Sequence, residues 1–393
     1  MFKIKKNSWV IDSILKAKFS TRVQIIKNFL WAKKKYLPKD KNADMGDILK
    51  CALCPNMCRF DCPISLAEKS EAGTPAGKAK TAYMIETGKL DTDDARDLMY
   101  LGLGCDACRQ WCPFGFSVGD LLIGVKKDIA DRGLAPKHIA EFAERTKKEH
   151  SIYEGNASLG ESKKADVVYF AGCTALNKRK EVVDSTKQIL EEAGINFTTL
   201  ADEWCCGAPL HALGFENYFK EFADHNLEAF SETGCETIVC SCPECAYTFR
   251  GLYPKFKVKH ISQFLGELIK EKKLGDLELE GEFVFHDPCV LARKLNSQEP
   301  KQILNRISKL NFKEPHLSGK DTRCCGRGSM LNVTHPDISF AIAKNRVSEL
   351  KEISDHVISA CPSCEVALKE ADKDISVSDL SEVVLRGMKG GRR

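Results

Sequence analysis

Nineteen cysteines fall in this sequence of 393 residues, and seventeen of them sit in short, repeated spacings. One run reads Cys51-Ala-Leu-Cys54-Pro-Asn-Met-Cys58-Arg-Phe-Asp-Cys62-Pro63, and a second reads Cys105-Asp-Ala-Cys108-Arg-Gln-Trp-Cys112-Pro113. Ten more form two series: Cys173, Cys205-Cys206-Gly207 and Cys242-Pro-Glu-Cys245, then Cys289, Cys324-Cys325-Gly326 and Cys361-Pro-Ser-Cys364. A secreted disulfide framework would need an even count in a short chain behind a signal segment. Here the count is odd, and Met1 to Lys6 is charged at once with no apolar core and cleavage site behind it. Clustered thiolates in a reducing cytoplasm bind metal.

The first two runs have the pattern of bacterial two-cluster ferredoxins, C-x2-C-x2-C-x3-C-P, in which the fourth cysteine of each run ligates the other cluster. Zinc also accepts C-x2-C pairs, but two runs that each close on Cys-Pro favour iron–sulfur cubanes. Two departures matter. Three residues separate Cys54 from Cys58, and Gly102 stands where the second run should begin. Crossed ligation gives one 4Fe–4S cluster a full set, Cys51, Cys54, Cys58 and Cys112. The other keeps Cys62, Cys105 and Cys108. It is expected to be a 3Fe–4S cluster, or a labile 4Fe–4S cluster whose fourth ligand is Asp106 or solvent.

The two five-cysteine series are an internal duplication. Adding 119 takes Cys205, Cys206, Cys242 and Cys245 to Cys324, Cys325, Cys361 and Cys364, while Cys173 maps to Cys289 at 116. Adjacent cysteines do not both suit one regular cubane. They suit an irregular cluster, with Gly207 giving close backbone approach or a positive φ. Cys235 and Cys240 remain and read as structural thiols. His211 and His286 lie near cluster cysteines, as hydrogen-bond donors to a thiolate or, more simply, as packing residues.

These series resemble the Cys-Cys-Gly domains of heterodisulfide reductases. The order of ferredoxin runs followed by two such domains is similar to the D subunit of the membrane-associated enzyme, and also to the iron–sulfur subunits of glycolate oxidase and anaerobic glycerol-3-phosphate dehydrogenase. The resemblance implies one noncubane 4Fe–4S cluster in each five-cysteine domain, with a zinc ion in one of them as the alternative. It implies that the two clusters face a shared cleft where a disulfide, the coenzyme M–coenzyme B heterodisulfide class, is split, each iron site taking one sulfur. The catalytic residues would then be Cys173, Cys205, Cys206, Cys242, Cys245, Cys289, Cys324, Cys325, Cys361 and Cys364. Lys178, Arg179, Arg293, Arg323 and Arg327 lie near ligand cysteines and could meet the sulfonate and phosphate of such a substrate. The partners would be other redox subunits, a membrane cytochrome, flavoprotein or hydrogenase, in anaerobic methanogenesis. The competing reading is an electron-transfer subunit of a flavin-linked dehydrogenase feeding a quinone-linked partner.

The elements that must carry these residues read as a multidomain chain. Residues 1–45 are an amphipathic arm. Residues 46–150 are an all-helical ferredoxin-type domain, with helix through Ala67–Tyr100 around a turn at Gly88 and again over Val118–Asp131. Residues 151–281 and 282–393 are two α/β domains with mostly parallel sheets. In the first, strands at 166–170, 197–200 and 237–240 alternate with helices at 181–193 and 218–233. The series restarts at Phe283–His286 and ends at His356–Ser359. Cys173, Cys242, Cys289 and Cys361 each follow a strand end, where open α/β sheets place ligands.

Charge is uneven. Residues 1–39 hold eleven Lys or Arg against Asp12 alone, a local +10, which leaves −6 for the remainder. A nucleic-acid protein would carry its basic patch on a folded domain, so that class is set aside. Ile11, Leu15, Phe19, Val23, Ile26 and Leu30 make an apolar stripe in the arm. It either packs on the body or docks residues 1–40 on a membrane surface or membrane subunit, which would make the protein peripheral at the cytoplasmic face. Walker and G-x-G-x-x-G signatures do not occur.

Overall fold

Polar caps punctuate the N-terminal half of the computed structural model, which describes residues 13–115, 117–155 and 157–391. After α1 (Phe19–Tyr36), the side chain of Asp44 starts α2 (Met45–Ala52), accepting the Asp47 N–H. Thr74 starts α3 (Pro75–Glu86), Thr92 starts α4 (Asp93–Tyr100) and Ser117 starts α5 (Val118–Asp131), each through its hydroxyl. Such caps satisfy donors that a helix start leaves unpaired. The expected helical stretch 67–100 is therefore two helices around Gly88, and α6 (Lys137–Glu149) completes the set. Their apolar faces meet around Ile48, Ala82, Met99, Tyr100, Val125, Ile129 and Ile139. No strand precedes Val167 among the described residues.

The C-terminal part contains two parallel four-stranded sheets. The first has the order β2-β1-β3-β4, with β1 Val167–Phe170, β2 Phe197–Thr198, β3 Thr237–Cys240 and β4 Lys257–His260. The second has the order β6-β5-β7-β8, with β5 Glu278–Phe285, β6 Ser308–Lys313, β7 His356–Ser359 and β8 Ser376–Asp379. Helices cover them: α7 (Lys180–Glu192), α8 (Glu216–Thr233), α9 (Pro243–Leu252) and α10 (Ile261–Lys270), then α11 (Pro336–Lys351), α12 (Pro362–Ala371) and α13 (Leu380–Gly390). The repeat extends to small details. His260 with Gln263 and Asp379 with Glu382 build matching capping boxes on α10 and α13. The three-residue slippage falls where α7 is replaced by a short helix, Glu299–Leu304, and a longer strand. β4 and β8 extend each sheet beyond the expected strands, and the expected 283–286 strand begins earlier, at Glu278.

The copies face each other through equivalent elements. The helix that opens at Cys173 packs on α12, and the turn Val290–Lys294, just after Cys289, packs on α9. Arg179 is 3% exposed and crosses this interface to Glu365, and to Glu382 at 2.5 Å. The ferredoxin-type loops are wedged into the second copy. Cys62, Ile64, Leu101 and Leu103 share a core with Cys289, Cys324, Cys325, Cys361 and Cys364. Gly328 lies so near that a Cβ there would stand 2.0 Å from Leu103 O. Arg293 donates to the carbonyl of Cys105 at 2.7 Å.

The stripe of α1 does not rest on the body: Leu15, Phe19, Val23 and Ile26 are exposed, Phe19 by 80%. Ile11 lies outside the described residues, as does the side chain of Leu30. No helix among the described residues is long and apolar enough to cross a membrane.

Lys126 on α5 is buried, donates to Ala212 O at 2.7 Å, and so joins the helical part to the first sheet domain. Burial pulls its ammonium down to about 7. Below that value both folded and unfolded chains hold the proton, and the cost of burying the charge is felt in full. As pH rises further only the unfolded chain keeps it, so stability increases by up to about 1.4 kcal/mol per pH unit. Anaerobic denaturant titrations from about pH 7 to about pH 10 should show this rise in the parent and a flatter profile in Lys126→Met. Equal slopes would place Lys126 in a wetter site.

Candidate metal centres

All nineteen cysteines are free thiols, and every one is buried or half-buried. At the end of α2, Cys51 is surrounded by Cys58, Cys54 and Cys112; burial first, and then these neighbours, push its thiol up to about 12. Cys58, in the turn Met57–Phe60, is pushed up to about 11 by burial and by Cys62 and Cys54. Trp111 Nε1 donates to Asp61 Oδ2 at 3.3 Å and pins the two loops together. Thiols held this close can ionise together only if a cation joins them, and soft thiolate donors select iron–sulfur clusters, zinc or copper.

Cys62, Cys105 and Cys108 line a separate small cavity with Gly102, Lys78 and Asp106. A Cβ on Gly102 would meet only Lys78 Nζ, at 3.9 Å. Lys78 is 5% exposed and donates to Leu101 O at 2.7 Å, which sets a buried cation beside the three-thiol set. Asp106 is also buried, with one carboxylate oxygen held 2.5 Å from Ser117 Oγ. Lys78 belongs to no cysteine spacing and could not be picked out from sequence.

In each sheet domain the strand order changes direction between β1 and β3, or β5 and β7, and the crevice at their carboxyl ends is where such sheets bind ligands. The cysteines sit there. Cys173 follows β1, and Cys242 follows β3 and caps α9 with Cys245 in its first turn; Cys289, Cys361 and Cys364 repeat this on β5, β7 and α12. Helix N-termini favour thiolate over thiol. The Cys-Cys pairs come in from the side on loops closed by Gly207 (φ 77°) and Gly326 (φ 95°). A Cβ would stand 2.8 Å from the Phe219 ring at the first and 2.5 Å from Ser339 O at the second, so both positions need glycine for space as well as conformation. Cys173 Sγ lies 3.7 Å from Cys205 Sγ, and Cys289 Sγ lies 4.0 Å from Cys324 Sγ.

All ten of these cysteines line one cavity of about 890 Å³ between the two sheet domains and α5. Cys242 and Cys361 interact across it through their side chains, as Cys105 does with Cys324. The sets therefore lie in sequence, from Cys51 and its neighbours through Cys62, Cys105 and Cys108 to the second five-cysteine set and then the first. Cys235 and Cys240 are buried in the core of the first sheet domain, with Cys240 on β3.

The surrounding charges are placed differently from the expectation that five cations serve the cleft. Arg179 holds the domain interface, Arg293 binds backbone carbonyls, Arg323 pairs with Glu349, and Lys178 lies over the Tyr153 ring at 5.5 Å. Arg327 alone of the five lines the cavity, where Lys127 and Lys294 join it. His211 lines it too, bonded through Nδ1 to Glu216 at 2.9 Å. His286 is fully buried, and burial keeps it below its ordinary value and neutral. One of its ring nitrogens lies within 4.8 Å of Cys325 Sγ and Cys364 Sγ. Glu203, unforeseen, accepts the N–H groups of Ala171 and Gly172 at 3.1 and 2.6 Å, fixing the loop that presents Cys173; burial raises its carboxyl to about 7.

Comparison with known families matches residues 47–116 to the 4Fe-4S dicluster domain, and residues 167–250 and 283–369 to the cysteine-rich domain of the Cys-Cys-Gly type. The D subunit of dihydromethanophenazine:CoB–CoM heterodisulfide reductase from Methanosarcina barkeri is 28% identical, covering 79% of this chain and 83% of the relative. The B subunit of the fumarate reductase (CoM/CoB) of Methanothermobacter marburgensis is 24% identical, over 93% and 77%. A probable glycolate oxidase iron–sulfur subunit of Bacillus subtilis is 22% identical, over 83% and 89%. The crystal structure of a hypothetical protein from Helicobacter pylori shares the fold, with a TM-score of 0.55 and 11% identity, covering 98% of this chain and 76% of that one.

The open space at Gly102 gives a direct test of the three-thiol set. Gly102→Cys should add a fourth thiol without steric cost, raise the iron retained under mild oxidation, and abolish any three-iron EPR signal of the oxidised protein. Unchanged iron content and spectrum would mean that position 102 is not the missing corner.

Proposed function

We propose that this chain, a Cys-Cys-Gly-domain iron–sulfur protein, is the subunit of a redox complex that carries electrons to a disulfide and reduces it to two thiols. The observation that carries the reading is the single cavity lined by both five-cysteine sets. Bound there, iron–sulfur clusters would supply the electrons, and an irregular cluster can expose iron to external sulfur where a fully ligated cubane does not. The reaction breaks one S–S bond and consumes two electrons and two protons. The electrons come from a partner redox subunit through the Cys51 and Cys62 sets. His211, with Nδ1 held by Glu216, can hold a proton at Nε2 for a product thiolate. The cavity wall is of mixed charge, Lys127, Arg250, Lys294 and Arg327 against Asp120, Glu216 and Glu244, and its cations could meet anionic groups such as the sulfonate and phosphate of the coenzyme M–coenzyme B heterodisulfide.

The partner's approach is suggested by exposed apolar side chains. Leu53, Met57, Phe60, Trp111 and Phe114 stand on the loops that present Cys51, Cys54, Cys58 and Cys112. An apolar patch of this kind marks a protein interface, and a redox subunit seated on it would lie beside the first cluster. The similarity to the glycolate oxidase subunit favours a second reading, in which the chain only relays electrons between a flavin dehydrogenase and a quinone-linked partner.

Thiol titration separates the two. Oxidised protein given coenzyme M and coenzyme B thiols should develop a paramagnetic species broadened by iron-57 or sulfur-33. Cys206→Ser and Cys325→Ser should each abolish dye-linked disulfide reduction and spare the ferredoxin-type signals. A fully metallated protein with no thiol-dependent signal would support the relay.

The arm completes the reading. Lys16, Lys18, Arg22 and Lys27 accompany the exposed Leu15, Phe19, Val23 and Ile26, a combination that fits an anionic membrane surface. Full-length protein should co-sediment with anionic and not with neutral vesicles. Deletion of residues 1–40 should abolish this and leave the cluster spectra intact. Binding that survives deletion, or that appears only when a membrane subunit is present, would overturn it.

A further inference from the structure

The two five-cysteine sites share one register and differ at a position facing a ligand thiol. Three residues before the first cysteine of each series stand Phe170 and His286. Strand pairing fixes their equivalence. Phe170 pairs with Cys240, two residues before Cys242. His286 donates its backbone N–H to Ile358 O and accepts from Ser359 Oγ, two residues before Cys361.

The surroundings differ in kind. Phe170 meets the rings of Phe249 and Phe230 edge-on, at 4.8 and 5.9 Å, and puts hydrocarbon behind the first site. His286 accepts at Nδ1 a hydrogen bond from Arg346 Nε, 3.1 Å away. A guanidinium can only donate, so Nδ1 carries no proton and the ring proton is on Nε2. Nε2 is buried without a hydrogen-bond partner, while the ring reaches Cys325 and Cys364. Arg346 is 1% exposed and braced by Glu349 at 2.9 Å. The buried residues of α8 (Phe219, Phe222, Ala223, Asn226) and α11 (Ser339, Ile342, Ala343, Arg346) have the same spacing. By that match Asn226 stands in Arg346's place, and it is turned to Cys205 O instead.

A buried N–H left unpaired is costly, and the nearest acceptors given for this ring are ligand sulfurs. We propose that His286 is a fixed N–H donor to the Cys325 thiolate and holds the second five-cysteine cluster at a higher reduction potential than the first. Donation to a cluster sulfur draws off negative charge and so favours the reduced form. The second site also adjoins Cys105, so the site nearer the entry of electrons fills before the other. His286 is a positioning residue here: one ring nitrogen lies within 4.8 Å of the Cys325 and Cys364 sulfurs, behind the cavity and away from the substrate.

This inference rests on the reading that each series holds an iron–sulfur cluster, and iron and zinc analysis of the purified holoprotein tests that reading separately. Zinc or no iron in the second site would defeat the reading itself. With both clusters present, redox titration followed by EPR should resolve two potentials for the five-cysteine clusters. His286→Phe, which copies Phe170, should shift the higher one down and leave the lower one and the ferredoxin-type signals in place. His286→Gln keeps an N–H and should restore most of the shift. The parent protein labelled with nitrogen-15 histidine gives a test that needs no variant. Weak coupling to one nitrogen, with an adjacent exchangeable proton lost in deuterium oxide, should appear on one cluster signal. Two equal potentials without nitrogen coupling would overturn the inference, as would the strong coupling of a directly bound nitrogen.

Discussion

Thiolates repel, and water is what normally lets them sit near one another. Two unit charges about 4 Å apart cost roughly 4 kcal/mol at an effective dielectric constant near 20. This chain places five such groups at a time in its interior, with Cys173 and Cys205 3.7 Å apart and Cys289 and Cys324 4.0 Å apart. As neutral thiols they can pack there, but as thiolates they are favourable only around a shared cation, so cluster binding would add to the stability of the fold. Much of the local structure follows. The two Cys-Cys loops need Gly207 and Gly326 because side chains already fill the space behind them. Cys242 and Cys361 cap α9 and α12 because a helix start is where a buried thiolate finds partial positive charge.

The same demand for proximity explains why the packing does not follow the order of the sequence. Electron transfer between sites requires them to be near, and the ferredoxin-type loops achieve this by entering the second sheet domain. Leu101 and Leu103 share its core, Gly328 leaves room for the Leu103 carbonyl, and Arg293 grips the Cys105 carbonyl. An arginine spent on a backbone carbonyl next to a cysteine serves position, not substrate.

Local spacing was the legible part. The four cysteine groups, the duplication, the strand-end placement of Cys173, Cys242, Cys289 and Cys361, and helices such as α5 and α8 are all written within a few tens of residues. β4 and β8 escaped because they are four-residue strands with alternating burial and polar residues, too short for a periodic signal. Lys78, Lys126 and Glu203 escaped for another reason. Each is an ordinary charged residue in sequence, and its burial is decided by a segment far along the chain, Lys126 by Ala212 for example. Four of the five cations judged by nearness to a cysteine in sequence, all but Arg327, went elsewhere for the same reason. Arg179, six residues after Cys173, turns away to meet Glu365 from the other copy.

The duplication does more than repeat a site. The helix opening at Cys173 packs on the helix that carries Cys364, and the turn after Cys289 packs on the helix that carries Cys245, so the copies are related by an approximate two-fold. Thr174 and Ser363 meet at 3.4 Å on one side, and Lys294 lies 4.9 Å from the Tyr247 ring on the other. An approximate two-fold of this kind turns both sets of ligands toward one space, since each contributes the same crevice. It also constrains what can differ. The ligand positions must match, or one site would lose its metal, so divergence is confined to residues behind them. That is where Phe170 and Asn226 of the first copy give way to His286 and Arg346 in the second, and Glu203 gives way to Thr322. On the proposed reading, matched walls with unmatched backing would let two like sulfur atoms be met by two sites of unlike potential.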